Sequence, residues 1–157
     1  MKHNTVGLLL LLLTSAPVLG DIADLVKSSG ISGGIVVHVG CGDGRDTVAL
    51  RTNDRFLVQG LESDETKLVQ AQHRIQELGV YGDVSVSRWS GTSLPYVDNL
   101  VNLLIDSTPG QVPREEILRV LVTGGVAYVG KNKITKPWPT EIDHWGHFLH
   151  GPDNNAV

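Results

Sequence analysis

Ile35-Val36-Val37-His38-Val39-Gly40-Cys41-Gly42-Asp43-Gly44 is a short apolar run that opens into three glycines at alternate positions. A run rich in Val and Ile, too short for a helix and stopped by glycine, reads as a strand buried in a parallel sheet. Glycine lacks a Cβ and accepts positive φ, so the three glycines let the backbone turn tightly and approach a bound molecule. Arg45 to Leu50 then starts a helix whose unpaired N–H groups face the same place. Strand, glycine loop and helix start predict a ligand cradle. The bland alternative is a glycine-rich turn that holds nothing.

The glycine spacing argues against an NAD site. The pattern G-x-G-x-x-G would need its third glycine at Arg45 when counted from Gly40, or at Thr47 when counted from Gly42. The pattern present is G-x-G-x-G.

Around this stretch lies a chain of 157 residues, enough for one domain with a sizeable core. Hydrophobic residues make up 41% and charged residues 19%, the balance of a folded globular protein. A formal net charge of −4 argues against nucleic acid as a partner. Lys2 and His3 precede the apolar run Val6 to Leu13, and Val18-Leu19-Gly20 follows before Asp21, which is the layout of a signal peptide over residues 1–20. The apolar segment from Val6 to Leu19 is shorter than the about 20 residues of a membrane span and contains Pro17, so export is expected, with an uncleaved anchor as the alternative. The single cysteine, Cys41, lies in the glycine loop, which leaves no internal disulfide and no lipid-modified cysteine near residue 20.

Ile22, Leu25 and Val26 at helical spacing predict a leading helix that ends near Gly30 and covers the glycine loop. Phe56 to Leu61 reads as a second strand with Glu62 at its carboxyl end, 22 residues after Gly40. In doubly wound sheets an acid there can accept both ribose hydroxyls of a nucleoside, although a surface turn also accommodates it. Ser63 to Leu78 reads as a helix with Leu68, Ala71, Ile75 and Leu78 on one face and Gly79 as its stop. Asp83 to Arg88 alternates as a third strand. A fourth strand ends at Asp106, followed by Ser107-Thr108-Pro109-Gly110. Pro113 suits the first position of a further helix, with Ile117, Leu118, Val120 and Leu121 packing inward. Thr123-Gly124-Gly125 then leads into a fifth strand over Val126 to Val129.

These signposts, Val-Val-His-Val-Gly-Cys-Gly-Asp-Gly, Leu94-Pro95, Asp98-Asn99 and Gly124-Gly125 in order, resemble those of class I S-adenosylmethionine-dependent methyltransferases over about residues 33–130. The resemblance implies an α/β, Rossmann-like doubly wound and mainly parallel sheet of about five strands in the order 3-2-1-4-5. It implies S-adenosylmethionine as cofactor. Gly40, Cys41, Gly42 and Gly44 would cradle the methionine portion, with His38 offering one hydrogen bond where the family usually carries an acid. Glu62 would hold the ribose. Ser90, or the backbone beside it, would meet the adenine edge in place of the family's loop acid, with Trp89 either flanking the ring or packing in the core. Asn102 likewise stands where the family often has an acid. Asp106 falls where the family brings its acceptor to the methyl group, as a catalytic residue or as a cap for the turn.

The 27 residues from Lys131 do not read as the family's last two strands. Their aromatics, prolines and histidines resemble the connector that leads, in exported bacterial proteins, from a methyltransferase-like domain into a β-propeller of the pyrroloquinoline-quinone-binding type. The expected organisation is a leader (1–20), a cofactor-binding domain (21–130) and a connector (131–157). His144, His147 and His150 beside Asp143 offer a weak metal site, against docking of a partner through Trp138, Trp145 and Phe148. Two functions follow from the resemblance: a methyltransferase of unknown acceptor, or a non-catalytic module that docks on an exported propeller.

Overall fold

The computed structural model describes residues 22–139. A six-stranded sheet forms its centre: β1 (Gly34–Val39), β2 (Phe56–Glu62), β3 (Val84–Arg88), β4 (Val101–Asp106), β5 (Leu121–Val129) and β6 (Asn132–Thr135). The strand order is β3-β2-β1-β4-β5-β6, with the first five parallel and β6 antiparallel to β5. Four helices accompany it: α1 (Ile22–Ser29), α2 (Arg45–Ala49), α3 (Glu65–Glu77) and α4 (Arg114–Val120). The expected order 3-2-1-4-5 is therefore present. The chain winds outward from β1 to β3, returns to β4 at the other side of β1, and continues to β5. In doubly wound sheets such a reversal, here between β1 and β4, is where ligands bind, at the carboxyl ends of the two strands.

β1 is buried on both faces, which is why it reads as an unbroken apolar run. Val36 faces a cluster with Val58, Leu103, Ile105 and Phe56, joined by Val26 of α1 and Ile75 of α3. Val37 and Val39 face the other cluster, with Leu61, Leu104, Trp89, Leu94 and, from α4, Ile117 and Val120. Each of these valines is fully buried, a contribution of roughly 1.5–3 kcal/mol apiece. Helix α3 starts where Asp64 accepts from the N–H groups of Thr66 (2.8 Å) and Lys67 (3.2 Å), and it buries Leu68, Ala71 and Ile75.

Three expectations change. Leu78 is not on the buried face of α3: the helix ends at Glu77, and Leu78, as its cap, is exposed. Leu121 is not helical, because β5 begins there and pairs with Val101; Gly124, at φ 76°, lets the strand bulge before it pairs again at Val126. The segment from Lys131, read as connector, opens with β6, whose polar Asn-Lys-Ile-Thr is held to the sheet edge by pairing with β5. Helix α1 packs against α2, the helix that follows the glycine loop, and its C-terminal end is also tied to β5 and β6: Ser28 Oγ lies 2.9 Å from Tyr128 Oη, and Lys133 Nζ donates to Ser28 O at 2.9 Å. The leader and the histidines His144, His147 and His150 lie outside the described residues. Among the described residues no helix is long and apolar enough to cross a membrane.

Candidate functional site

The three loop glycines all have positive φ, 71° at Gly40, 57° at Gly42 and 79° at Gly44. Their surroundings differ. A Cβ on Gly40 would lie 2.6 Å from the Thr108 methyl, and one on Gly44 would lie 2.8 Å from the Ala71 Cβ, whereas one on Gly42 would meet nothing within 4 Å. Gly40 and Gly44 therefore let chain segments pack together, and Gly42 borders open space. Gly44→Ala is expected to cost about 3 kcal/mol from left-handed strain and overpacking, and Gly42→Ala only about 1 kcal/mol. Urea unfolding of the two variants tests this, and equal costs would refute the distinction. Helix α2 has five residues and no side-chain cap, so its dipole adds less to the cradle than the sequence suggests.

Cys41 is buried, and its Sγ rests where Gly60 of β2 has no side chain: a Cβ there would lie 2.8 Å from the sulfur. Burial, reinforced by the charge of Glu62, pushes the thiol up to about 11. It is a protonated packing group that seats the loop on β2.

Glu62 is 6% exposed and turns back onto the loop. Its Oε2 accepts from Gly42 N at 2.7 Å, and its Oε1 accepts from Ser63 N at 2.9 Å and Asp64 N at 3.0 Å. A carboxylate offers about four acceptor positions, so one remains, on Oε2. The expected grip on both ribose hydroxyls is thereby reduced to a single acceptor while the loop holds this arrangement.

His38 lies at the end of β1 and is 2% exposed. Its Nδ1 shares a hydrogen bond with Thr47 Oγ1 and its Nε2 with Ser107 Oγ, each at 2.9 Å. Burial lowers the imidazole to about 4 despite the opposing charges of Asp46 and Glu62. With both nitrogens occupied, His38 joins β1, α2 and the turn after β4, and has no nitrogen over for the methionine end of a ligand. Neither Thr47 nor Ser107 carries a motif; the buried polar histidine is the signal that two partners must exist.

Asp106 ends β4 and is 1% exposed. Its Oδ1 accepts from Thr108 N at 2.8 Å and Thr108 Oγ1 at 3.1 Å, which caps the turn. Its Oδ2 is buried without a hydrogen-bond partner. Asn102, by contrast, belongs to the opposite end of the sheet, where its Oδ1 accepts from Ile35 N at 2.9 Å.

Ser90 is exposed at the rim of the crevice. Trp89 beside it packs into the core and donates from Nε1 to Ser93 O at 2.8 Å, while its backbone N–H donates to Glu62 O at 2.9 Å. The loop that follows is clamped to α4. Arg119 grips Glu116 through two bonds of 2.8 and 2.7 Å, and donates to Tyr96 O (2.9 Å) and Asp98 (2.6 Å). Glu116 in turn accepts from Leu94 N at 2.6 Å, and the Arg119 bonds hold its carboxyl down to about 2. Arg119→Ala is expected to raise amide exchange at Leu94 by about tenfold or more with little change at Val36 in β1. A uniform rise, or none, would show that Arg119 is not the clamp.

Among the described residues no cluster of three metal ligands occurs. The crevice thus brings together Gly40, Gly42, Gly44, Glu62 and Asp106, with Ser90 at its rim and His38 and Cys41 packed behind it.

No protein-family model and no curated protein matches the chain. Solved structures do. An S-adenosylmethionine-dependent methyltransferase from Aquifex aeolicus is 21% identical with a TM-score of 0.59, over 68% of this chain and 61% of that one. Geranyl diphosphate C-methyltransferase from Streptomyces coelicolor, solved with S-adenosylhomocysteine, is 21% identical with a TM-score of 0.58, over 67% of this chain and 43% of that one. The 4+2 cyclase SpnF is 27% identical with a TM-score of 0.58, over 68% of this chain and 42% of that one. The chain spans about half the length of the solved structures it matches. It has their Rossmann-like fold.

Proposed function

We propose that the crevice binds S-adenosylmethionine and that the chain serves methyl transfer to an acceptor not yet known. The observation that carries this reading is the pairing of two buried carboxylates, Glu62 and Asp106, with an open glycine at the β1–β4 reversal. A cationic nucleoside fits such a site: its sulfonium and ammonium charges meet carboxylates, and its methionine portion needs the close backbone approach that Gly42 leaves open. Gly40 to Gly44 line the methionine portion, Glu62 Oε2 takes a ribose hydroxyl, and Ser90 meets the adenine edge without a charge. S-adenosylmethionine supplies an activated methyl group when bound. The chain's own contribution is to align that group with an acceptor and to keep water away, a gain of up to about 7–11 kcal/mol in well-oriented reactions.

A second reading follows from the neutral His38 and the uncharged Ser90, which weaken the grip on the cofactor at both ends. In it the chain is a non-catalytic module of an exported protein, brought out of the cytosol by residues 1–20 and docked on a β-propeller domain or partner. The 4+2 cyclase SpnF shares this architecture, so ligand binding and location, rather than fold, separate the two readings.

Calorimetric titration with S-adenosylhomocysteine tests the first reading. One-site saturable binding is expected, weakened about tenfold or more by Gly42→Ala, which leaves the fold nearly intact. Absence of binding, or binding indifferent to Gly42→Ala, would overturn it. Cell fractionation separates the locations: a cytosolic chain that keeps residues 1–20 would argue against export.

A further inference from the structure

The two faces of the sheet are not equally covered. Side chains alternate across a strand, and residues paired in a parallel ladder share a side, so the burial of β1 assigns its neighbours. Val36 faces the cluster joined by α1, α2 and α3, whereas Ile35, Val37 and Val39 face the cluster under α4, among the described residues the one helix on that side. Leu57 pairs with Ile35, Gln59 with Val37, and Ser85 with Gln59, which puts all three on the α4 side. There Leu57 is 54% exposed, while Phe56 and Val58 beside it, turned to the other side, are 1% and 2% exposed. Ile35, Leu57, Gln59 and Ser85 line an open hollow of ≈ 200 Å³. Parallel sheets occur almost only with both faces covered, so an inner strand with a bare leucine lacks a covering element.

The chain leaves the described fold on that same side. β6 places Ile134 against the α4-side cluster, and Lys136 Nζ then donates to Asn99 Oδ1 at 2.6 Å and Leu121 O at 2.8 Å, beside the end of α4. Lys136 N donates to Gly125 O at 2.9 Å, between the positions where β5 pairs with Val101 and Leu103 of β4. Asn102, between those two, bonds Ile35 N, and Ile35 pairs with Leu57. Exit and hollow therefore lie at one level of the sheet, four strand spacings or about 19 Å apart. Beyond Pro139, Ile142, Trp145 and Leu149 recur at i, i+3 and i+7, a spacing that gathers them on one side of a helix, with His144, His147 and His150 on the other. Three extended steps to Ile142 and seven helical steps to Leu149 reach about 20 Å. Residues 1–21 are worse placed, since they join α1, whose Ile22 packs on the opposite face.

We propose that residues 142–149 fold back across the α4 side of the sheet and cover Leu57 with Trp145 and Leu149, with Ile142 nearer the exit. The covered surface lies toward the amino ends of β1 and β2, away from the carboxyl-end crevice, so this assignment is independent of the cofactor reading. It makes the segment a part of the domain rather than a free connector.

A nitroxide on the full chain tests this by amide nuclear magnetic resonance. Cys41 is buried, so His147→Cys supplies the accessible thiol, on the side of the segment turned from the sheet. Amide signals of Leu57, Gln59 and Ser85 are expected to lose most of their intensity in the labelled chain, and those of Val69 and Glu77 on α3, across the sheet, to keep theirs. Leu57→Ser, at an exposed position, should restore Gln59 and Ser85 without shifting the core amides of Val36 and Leu103. Trp145→Ala should restore them from the other partner in the contact. Losses absent at Leu57 would leave the face to a separate partner and overturn the proposal, as would losses spread evenly over both faces or losses that survive both substitutions. Losses on an isotope-labelled chain without nitroxide, mixed with chain that bears it, would assign the face to a second copy and overturn it too.

Discussion

Between pH 6.5 and pH 5 the chain is expected to lose about 2 kcal/mol of stability through His38 alone. In the unfolded chain the imidazole takes up its proton near 6.5, but in the fold burial holds it neutral until about 4. Between those values the unfolded state binds more protons, so stability falls as pH falls through the window and is level above it. The full loss by pH 4 is about 3 kcal/mol. Protonation also disturbs two hydrogen bonds at once, because both ring nitrogens become donors to Thr47 and Ser107 hydroxyls. Urea unfolding at pH 7, 6 and 5 is the measurement. His38→Gln should be nearly level over that interval, and a slope equal to that of the unchanged chain would show that His38 is not its source.

Removal of the Glu62 carboxylate should be the most damaging single change in the crevice. Glu62→Ala leaves the N–H groups of Gly42, Ser63 and Asp64 without their acceptor, and is expected to cost about 3–5 kcal/mol. Ser90→Ala, at an exposed rim position, should cost under about 0.5 kcal/mol. Glu62→Gln, which keeps one acceptor oxygen, should fall between. The comparison bears on any binding assay: loss of ligand in Glu62→Ala reports a collapsed loop, whereas Gly42→Ala changes the ligand's approach with the loop still held. If Glu62→Ala unfolds at the same urea concentration as the unchanged chain, the three bonds do not hold the loop.

Much of this arrangement was legible because it is local. Ile35 to Gly44 announces a strand and a loop by its own composition, and Ser63 to Gly79 announces α3 by period and cap. The reach of β2 to Glu62 follows the same logic. What could not be read depends on contacts between distant positions. Ser107 meets His38 across β1 and β4, Thr108 packs directly on Gly40, and Cys41 needs the missing side chain of Gly60. None of these leaves a periodic trace. β6 escaped for a different reason: Asn132 to Thr135 has little apolar pattern, and its strand character comes from the backbone of β5. The Arg119–Glu116 pair is visible at helical spacing, but its hold on Leu94 and Asp98 is not.

The central claim is that the crevice at the carboxyl ends of β1, β2 and β4 is a nucleoside site. Its most direct test is an amide nuclear magnetic resonance titration of the chain with S-adenosylhomocysteine. Saturable shifts are predicted for Gly40, Gly42, Ser63, Trp89 and Thr108, with His73 and Glu77 on the outer side of α3 unmoved. No shift at millimolar ligand, or shifts confined to the outer side of α3, would contradict the claim.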